Sequence, residues 1–321
     1  MQKIIGGIKG WQGDGDYVCP DAIKFVNTRS ALYYLSKQFN ATLWLPSYIC
    51  ESILDIPCPI AIYEVDKALK AKPFNVKAGD LVLIPNYWGF PCDELLIEKC
   101  KEAGALTIQD SCHSIFTKDE KLNFRVFSFG KNMGVADGAL LFDRDKALNQ
   151  QQLQDPPNDF IVLAHKARTL RTMFDQGENN EWYNVFLESK KIAPIGNYSM
   201  SKISERGLHN IDITKCKKNF NTYLQHLEEI SFYKFLPEDV VPYGFPILIE
   251  NRDNMQKQLI KEKIYCPVHW RIQKIPKHCK ESYFLADRMM TLPCDDRYDE
   301  DDLMRVISLC KHFEQHPARL K

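Results

Sequence analysis

The sequence predicts an α/β fold in which a mostly parallel sheet is covered by helices. Between residues 28 and 145, apolar runs of strand length alternate with segments of helical periodicity, the pattern expected of such a sheet. The chain has 321 residues, 45% of them hydrophobic, which is enough for a sizeable core and is more typical of two domains than of one.

The elements follow in order along the chain. Strands are predicted over residues 42–46, 60–65, 81–85, 106–110, 124–128 and 139–142. Helices are predicted over 30–39, 48–54 and 93–103, the last closed by Gly104 as a C-cap. A polar loop over 149–158 precedes further helical segments at 160–174 and 201–230.

A smaller α+β unit is predicted at the end of the chain. Its strands are expected over 243–250 and 266–270, and its helices over 253–262 and 299–313. The acidic run from 295 to 302 lacks the glycine and terminal glutamate of an EF-hand loop and is interpreted as the acidic first turn of a helix. We therefore predict a large domain at 1–205 and a small C-terminal domain at 206–321.

The composition of the chain argues against several classes of function. Lysine plus arginine equals aspartate plus glutamate at 42 each, so no global field attracts nucleic acid or an anionic membrane. The N-terminus has no signal-peptide pattern, and no apolar stretch is long enough to span a bilayer. The 11 cysteines are scattered, without a CxxC pair or zinc-ligand spacing, which indicates reduced thiols in the cytoplasm and no metal site.

Polar residues that directly follow strands are the candidates for a ligand site, because ligands of parallel α/β sheets bind at the carboxyl ends of the strands. Asp110, His113, Ser128 and Lys131 occupy such positions. Each also has an ordinary structural interpretation: Lys131 as a solvated surface charge, Asp110 as a helix N-cap, and His113 as a locally bonded histidine.

The same residues match the needs of a pyridoxal-phosphate (PLP) enzyme, namely an amine, an acid for the pyridine nitrogen and a phosphate cradle. Lys131 offers the amine and Asp110 the acid. The cradle is predicted at Thr28, Arg29 and Ser30, which open a helix whose free N–H groups and dipole favour a phosphate. The Ser128 hydroxyl is expected near the same phosphate, and His113 either against the cofactor ring or bonded to its phenolic oxygen.

A family resemblance covers most of the chain. It rests on NTRSALYYL, LPSYICESIL, LIPNYWGFPCDELL, IQDSCHS and FSFGKNMGVADGALL, and continues with GNYSMSKISERGL, YGFPILIENRDNMQKQLIKEKIYCPVHW and MTLPCDDRY. These segments, in this order, resemble the DegT/DnrJ/EryC1/StrS sugar aminotransferases, and more closely a compact branch with Ser-x-x-Lys before an Asp-Gly turn. Ser199 stands where that family usually has arginine, and Cys50 near a position where an aromatic often covers the ring.

The resemblance implies the aspartate aminotransferase-like fold type I, with a mostly parallel, seven-stranded-type sheet in a large domain and a small α+β C-terminal domain. It implies a homodimer with PLP on Lys131, Asp110 at the ring nitrogen and His113 beside the ring. Around the phosphate it implies Thr28, Arg29 and Ser128, and it makes Asn197 the residue that reaches the neighbouring subunit's cofactor.

The leading functional hypothesis is an aminotransferase that moves an amino group from glutamate to a nucleotide-linked keto-sugar, in amino-sugar or surface-polysaccharide biosynthesis. Two alternatives stay open. One is a degenerate PLP-fold protein that acts as a regulator or partner subunit, since a fold does not fix a function. The other is a PLP enzyme acting on a free amino acid.

Overall fold

The computed structural model describes residues 3–18, 20–113, 116, 118–149, 152–173 and 181–315. The strands of the described chain are β1 Ile5–Gly6, β2 Ile23–Phe25, β3 Leu43–Pro46, β4 Ile60–Tyr63, β5 Leu81–Pro85, β6 Leu106–Asp110, β7 Phe124–Ser128, β8 Ala139–Asp143, β9 Phe245–Leu248, β10 Ile264–Tyr265 and β11 Met289–Leu292. The helices are α1 Thr28–Phe39, α2 Glu94–Glu102, α3 Phe129–Asn132, α4 Asn158–Met173, α5 Glu181–Lys191, α6 Lys202–Arg206, α7 Ile213–Leu227, α8 Arg252–Lys261, α9 Lys280–Arg288 and α10 Glu300–Gln315.

Seven strands form the central sheet in the order β2-β8-β7-β6-β5-β3-β4. Strand β8 pairs antiparallel with both of its neighbours, and the other six strands run in one direction. The mostly parallel α/β class and the seven-stranded sheet are therefore confirmed.

Strand β5 explains why these strands are continuous apolar runs. Leu81 and Leu83 pack in the cluster on the α1 side of the sheet, whereas Val82 and Ile84 pack in the cluster on the opposite face. A strand that is buried on both faces is therefore a nearly continuous run of apolar residues. Strand β5, like β6 and β7, has the bounds that the sequence predicts.

Helix α1 is capped by an asparagine at each end. The Asn27 side-chain oxygen accepts the Ser30 N–H at 3.0 Å, and Asn40 ends the helix in the left-handed conformation with φ of 46°. The first turn of α1 faces β7, because the Thr28 hydroxyl donates to the Phe127 carbonyl at 3.4 Å. The sheet thus brings the start of α1 to the end of β7.

The C-terminal unit contains two small sheets. Strand β9 pairs antiparallel with β11, and β10 pairs parallel with β1 from the beginning of the chain. Gly6 is required in β1, since its φ is +86° and a Cβ there would lie 2.1 Å from the Tyr265 carbonyl oxygen. The division at 205/206 stays a prediction. It passes through α6 and assigns β1 and β10 to different domains.

Several predicted elements are corrected. The strand predicted over 266–270 is wrong. The strand lies at Ile264–Tyr265, and residues 266–270, which include Pro267, form no strand and end in a turn. Residues 48–54 form only a short 3₁₀ turn, Glu51–Asp55. The segment 201–230 is divided between α6 and α7, and the acidic first turn belongs to α10 only from Glu300 onward.

Candidate active site

Asp110 and Lys131 lie at the carboxyl ends of adjacent parallel strands. Asp110 is the last residue of β6 and is paired in register with Val126 of β7, while Lys131 lies in the four-residue helix α3 that follows β7. One Asp110 oxygen accepts the Cys112 N–H at 3.0 Å. No helix cap by Asp110 occurs in the described part of the chain, so the structural alternative for this residue is not seen there.

The Lys131 side chain is open to solvent at the floor of a cleft. Burial lowers the pKa of its ammonium, but the interactions with the Cys112 side chain and then with Asp110 outweigh burial and raise the pKa above its ordinary value. Burial also raises the pKa of Cys112 well above its ordinary value, which leaves a neutral thiol near pH 7. Asp110 is therefore the carboxylate that stabilises the Lys131 ammonium.

The His113 ring lies between two aromatic rings. Tyr243 is nearly parallel to it at 4.6 Å between ring centroids, and Trp270 at 5.2 Å. Because these two rings make no ring contact with each other in the described chain, they cover opposite faces of the imidazole. A cofactor ring stacked on His113 would have to displace Tyr243.

The His113 edge carries an unpaired donor. Its Nδ1 accepts the Trp88 N–H at 3.2 Å, which places the proton of the neutral ring on Nε2. That Nε2 is buried and has no partner among the described residues. Burial, and then the positive charge of Lys131, hold the pKa of His113 well below its ordinary value, so the ring is neutral at physiological pH. A bond from Nε2–H to a cofactor oxygen fits this arrangement without any movement of Tyr243.

The start of α1 offers the phosphate cradle that the sequence predicts, with one exception. Thr28 lies beside the site, its hydroxyl 3.1 Å from the Cys112 sulfur, and the Arg29 guanidinium donates to the Ala193 carbonyl at 3.3 Å. Ser30 is the exception. Its N–H donates to the Asn27 side chain at 3.0 Å, and its hydroxyl donates to the Pro194 carbonyl at 3.5 Å and accepts the Gly196 N–H at 3.3 Å, so both of its donors are engaged.

The remaining predicted residues lie around this cradle. Ser128 ends β7 immediately before α3, next to the Phe127 carbonyl that Thr28 contacts. The Asn197 carbonyl accepts the Gln154 N–H at 2.8 Å, in the segment that follows α5. Whether these residues bind the phosphate, and whether Asn197 reaches a second subunit, stay predictions.

The cleft on the other side of Lys131 is lined by both ends of the chain. Gly6 and Lys9 come from the N-terminal segment, and Tyr243, Thr291 and Arg297 from the C-terminal unit. Arg297 is fixed there by Asp295, with 2.7 Å between Nε and the nearer carboxylate oxygen. Lys131 and the neighbouring Asn132 form part of the wall of this cleft.

The residues described so far therefore fit PLP: an amine, a neighbouring carboxylate, an unpaired buried donor and a helix N-terminus surround one space. A family model of the DegT/DnrJ/EryC1/StrS aminotransferases matches residues 63–311. The chain belongs to this family. It is an aminotransferase.

Solved structures show the same fold. An aminotransferase of this family from Brucella abortus is 15% identical, with a TM-score of 0.64, over 91% of this chain and 85% of that one. PseC from Helicobacter pylori, an aminotransferase involved in the biosynthesis of pseudoaminic acid, is 16% identical, with a TM-score of 0.64, over 92% and 87%. DesI, solved in the presence of its TDP-sugar product, is 17% identical, with a TM-score of 0.63, over 93% and 82%. No curated protein sequence matches the chain.

These neighbours confirm fold type I for this aminotransferase. No helix of its described residues is both long and apolar enough to cross a membrane. The ten cysteines that the structure describes are free thiols.

Sequence reasoning missed several residues of the site of this aminotransferase. Tyr243 and Trp270 cover His113, and Arg168 of α4 donates to the Gly130 carbonyl, next to Lys131, at 2.7 Å. No local pattern marks Arg168, which is buried in the middle of a helix. Trp88, close to His113, is fully buried, and its indole N–H donates to the Thr291 hydroxyl at 2.8 Å, so it packs in the core.

Proposed function

We propose that this aminotransferase binds PLP covalently on Lys131 and transfers an amino group from glutamate to a nucleotide-linked keto-sugar. The observation that carries the proposal is the position of Lys131 and Asp110 at the ends of adjacent strands, beside the N-terminus of α1. In parallel α/β sheets this edge is where ligands bind.

PLP, when bound, withdraws electrons from the substrate carbon that carries the nitrogen and so makes a proton on that carbon removable. Asp110 would keep the ring nitrogen protonated, because a carboxylate stabilises a positive charge beside it. His113 would donate Nε2–H to the phenolic oxygen. Thr28, Arg29 and Ser128 would hold the phosphate, with Asn197 from a second subunit.

Lys131 would then act as both base and acid. Its Nζ, no longer bonded to the cofactor, would take the proton from the donor carbon that carries the nitrogen and give it to C4′ of the cofactor.

The substrate class rests on the family and on its solved members. DesI was solved in the presence of its TDP-sugar product, and PseC is involved in the biosynthesis of pseudoaminic acid. The cleft that ends on Lys131 offers a path for such a ligand between the N-terminal segment and the C-terminal unit. We further propose a homodimer with shared sites that works in the cytoplasm, and a division into domains at 1–205 and 206–321.

A half-reaction test separates this proposal from its alternatives. Glutamate added to the PLP-loaded protein should convert the cofactor to pyridoxamine phosphate, and a nucleotide-linked keto-sugar should restore the original absorption spectrum. A lyase would release product without an acceptor. A spectrum that no amino donor changes would contradict the enzyme assignment and favour a regulatory scaffold.

Mapping the cofactor tests the site itself. Borohydride reduction of the loaded protein followed by peptide mass mapping should find the pyridoxyl group on Lys131. Its appearance on another lysine would refute the assignment.

A further inference from the structure

Arg168 is a buried cation that joins two distant parts of the chain. It lies in the middle of α4, only 3% of its surface is exposed, and it forms no salt bridge with a described residue. Its guanidinium donates instead to two backbone carbonyls, to that of Lys9 at 2.8 Å and to that of Gly130 at 2.7 Å, through different nitrogens. Burial of a charged group is costly unless its hydrogen bonds are formed, so these two bonds are what stabilises Arg168 in the interior.

The Gly130 carbonyl belongs to α3, a helix that needs support from outside. It has four residues, and the Met133 N–H donates to the Phe129 carbonyl at 2.8 Å to close its one turn. A single turn is unstable alone, and the carbonyls of its last turn have no partner within the helix. Arg168 gives one of these carbonyls a charged donor. Because this carbonyl belongs to the peptide group that Gly130 shares with Lys131, the bond fixes the backbone from which the Lys131 side chain extends.

The second carbonyl belongs to the N-terminal segment, residues 6–11, which forms one wall of the cleft. The Trp11 N–H donates to the Arg168 carbonyl at 3.1 Å, and the Thr172 hydroxyl donates to the Trp11 carbonyl at 2.7 Å. On the other side of the segment, a Cβ at Gly134 would lie 2.0 Å from the Gly10 carbonyl oxygen. The N-terminal segment therefore packs between α4 and the turn after α3, and the Arg168 guanidinium bonds to both sides of this junction.

We propose that Arg168 is a positioning residue for the aminotransferase reaction, which holds the Lys131 amine in a fixed place relative to the wall of the cleft. Lys9 and Lys131 both line the cleft, and Arg168 bonds to the carbonyl of the first and to the carbonyl directly before the second. A planar guanidinium keeps two acceptors in a fixed relation, which a single ammonium cannot do. The inference rests on the proposed function in that it takes Lys131 as the reacting amine.

The first test is Arg168→Lys, which keeps the positive charge and the aliphatic stem but cannot bond to both carbonyls in the same geometry. Since a misplacement of about 1 Å can slow a reaction by roughly 100-fold, kcat with glutamate and a keto-sugar nucleotide should fall by about 10- to 100-fold per bound PLP. The KM values should change by less than about threefold, because the variant affects the proton transfer more than the binding of substrate. A variant that was only partly folded would instead lose PLP content.

The second test needs neither cofactor nor substrate. In apo-protein the Met133 N–H reports on α3, because its bond to the Phe129 carbonyl closes that turn. Hydrogen exchange of this amide, followed by mass spectrometry of the peptides that contain it, should be about tenfold or more faster in Arg168→Lys, the effect of losing one charged hydrogen bond. Arg168→Gln, which buries no charge and can reach only one carbonyl, is a second variant and should show the same faster exchange.

Arg171→Lys is the matched control. Arg171 lies on the same helix, is 2% exposed and also donates to a carbonyl of the N-terminal segment, that of Gly6 at 3.2 Å. The control thus changes a buried guanidinium and the same segment without changing the bond to Gly130. Met133 exchange and kcat per bound PLP should stay within about twofold of the wild type, and thermal unfolding should show that the variants are folded.

Two results would overturn the inference. One is wild-type exchange of the Met133 N–H in both Arg168 variants, and the other is an equal loss of kcat in Arg171→Lys. Failure of the proposed function is a separate result: borohydride mapping would then find no cofactor on Lys131 of the wild type, whereas the exchange of Met133 in apo-protein would still respond to Arg168.

Discussion

Replacement of Asp110 by asparagine should abolish nearly all turnover and leave the fold intact. The only described backbone group bonded to a carboxylate oxygen of Asp110 is the Cys112 N–H at 3.0 Å, and an asparagine oxygen can accept it equally well. The side chain is half-buried and keeps its shape in the variant. Asp110→Asn should therefore change the free energy of unfolding by less than about 1 kcal/mol.

The effect on turnover is larger because the variant removes a charge rather than a contact. A hydrogen bond to a charged group contributes roughly 1.5–3 kcal/mol, and each 1.36 kcal/mol changes a rate about tenfold. The loss of the carboxylate beside a protonated ring nitrogen should thus lower kcat by about 10- to 150-fold. It should also lower the pKa of Lys131, since Asp110 is one of the groups that raise it.

The assay is steady-state turnover with glutamate and a keto-sugar nucleotide, accompanied by thermal unfolding. Asp66→Asn is the control, because Asp66 accepts the N–H of the residue two positions later, as Asp110 does, but in an exposed turn. Normal turnover in Asp110→Asn would refute its role at the ring nitrogen. Loss of folding in Asp110→Asn alone would show that its contribution is structural.

Three further predictions test other parts of the molecule. Since burial holds the pKa of His113 well below its ordinary value, kcat measured from pH 5 to 8 should show no step from this histidine, and His113→Gln should lower kcat without changing the shape of the profile. Burial raises the pKa of Asp295, but Arg297 lowers it further, so the folded-state pKa is depressed and the stabilisation is present above about pH 4 and lost as pH falls. Arg297→Met should cost roughly 1–3 kcal/mol in urea unfolding at pH 7, a difference that shrinks at pH 3. Light scattering should find a dimer, and a fully active monomer would contradict the shared site predicted from Asn197.

The sequence predicts the central strands well because the burial of a strand determines which residues it contains. Strand β5 is apolar on both faces, so its bounds follow from where polar residues resume. Strands β6 and β7 also have the predicted bounds, although β6 contains Thr107 and Gln109 and β7 contains Arg125. Strands β1, β2 and β11 are too short for any periodicity, and they are strands only because a distant partner pairs with them. Their existence is a property of the folded chain.

Some residues of the candidate site could likewise be predicted from the sequence, and others could not. Asp110 and Lys131 could be found because a strand end is a local feature. Arg168 could not, since it is one of 42 lysine and arginine residues and only the packing of α4 brings it to Gly130, next to Lys131. The environment of His113 is likewise made by Tyr243 and Trp270, more than a hundred residues later.

The pairing of β1 with β10 bears on the order in which the chain can fold during synthesis. Ile5 pairs with Ile264, a separation of 264 − 5 = 259 residues. At typical rates of about 5–20 residues per second, the ribosome needs on the order of 10–50 s to make that stretch. Throughout that time the buried side chain of Ile5 has no partner strand. The cleft that contains Gly6 and Lys9 therefore closes last, and a nascent chain that stops before Ile264 cannot complete it.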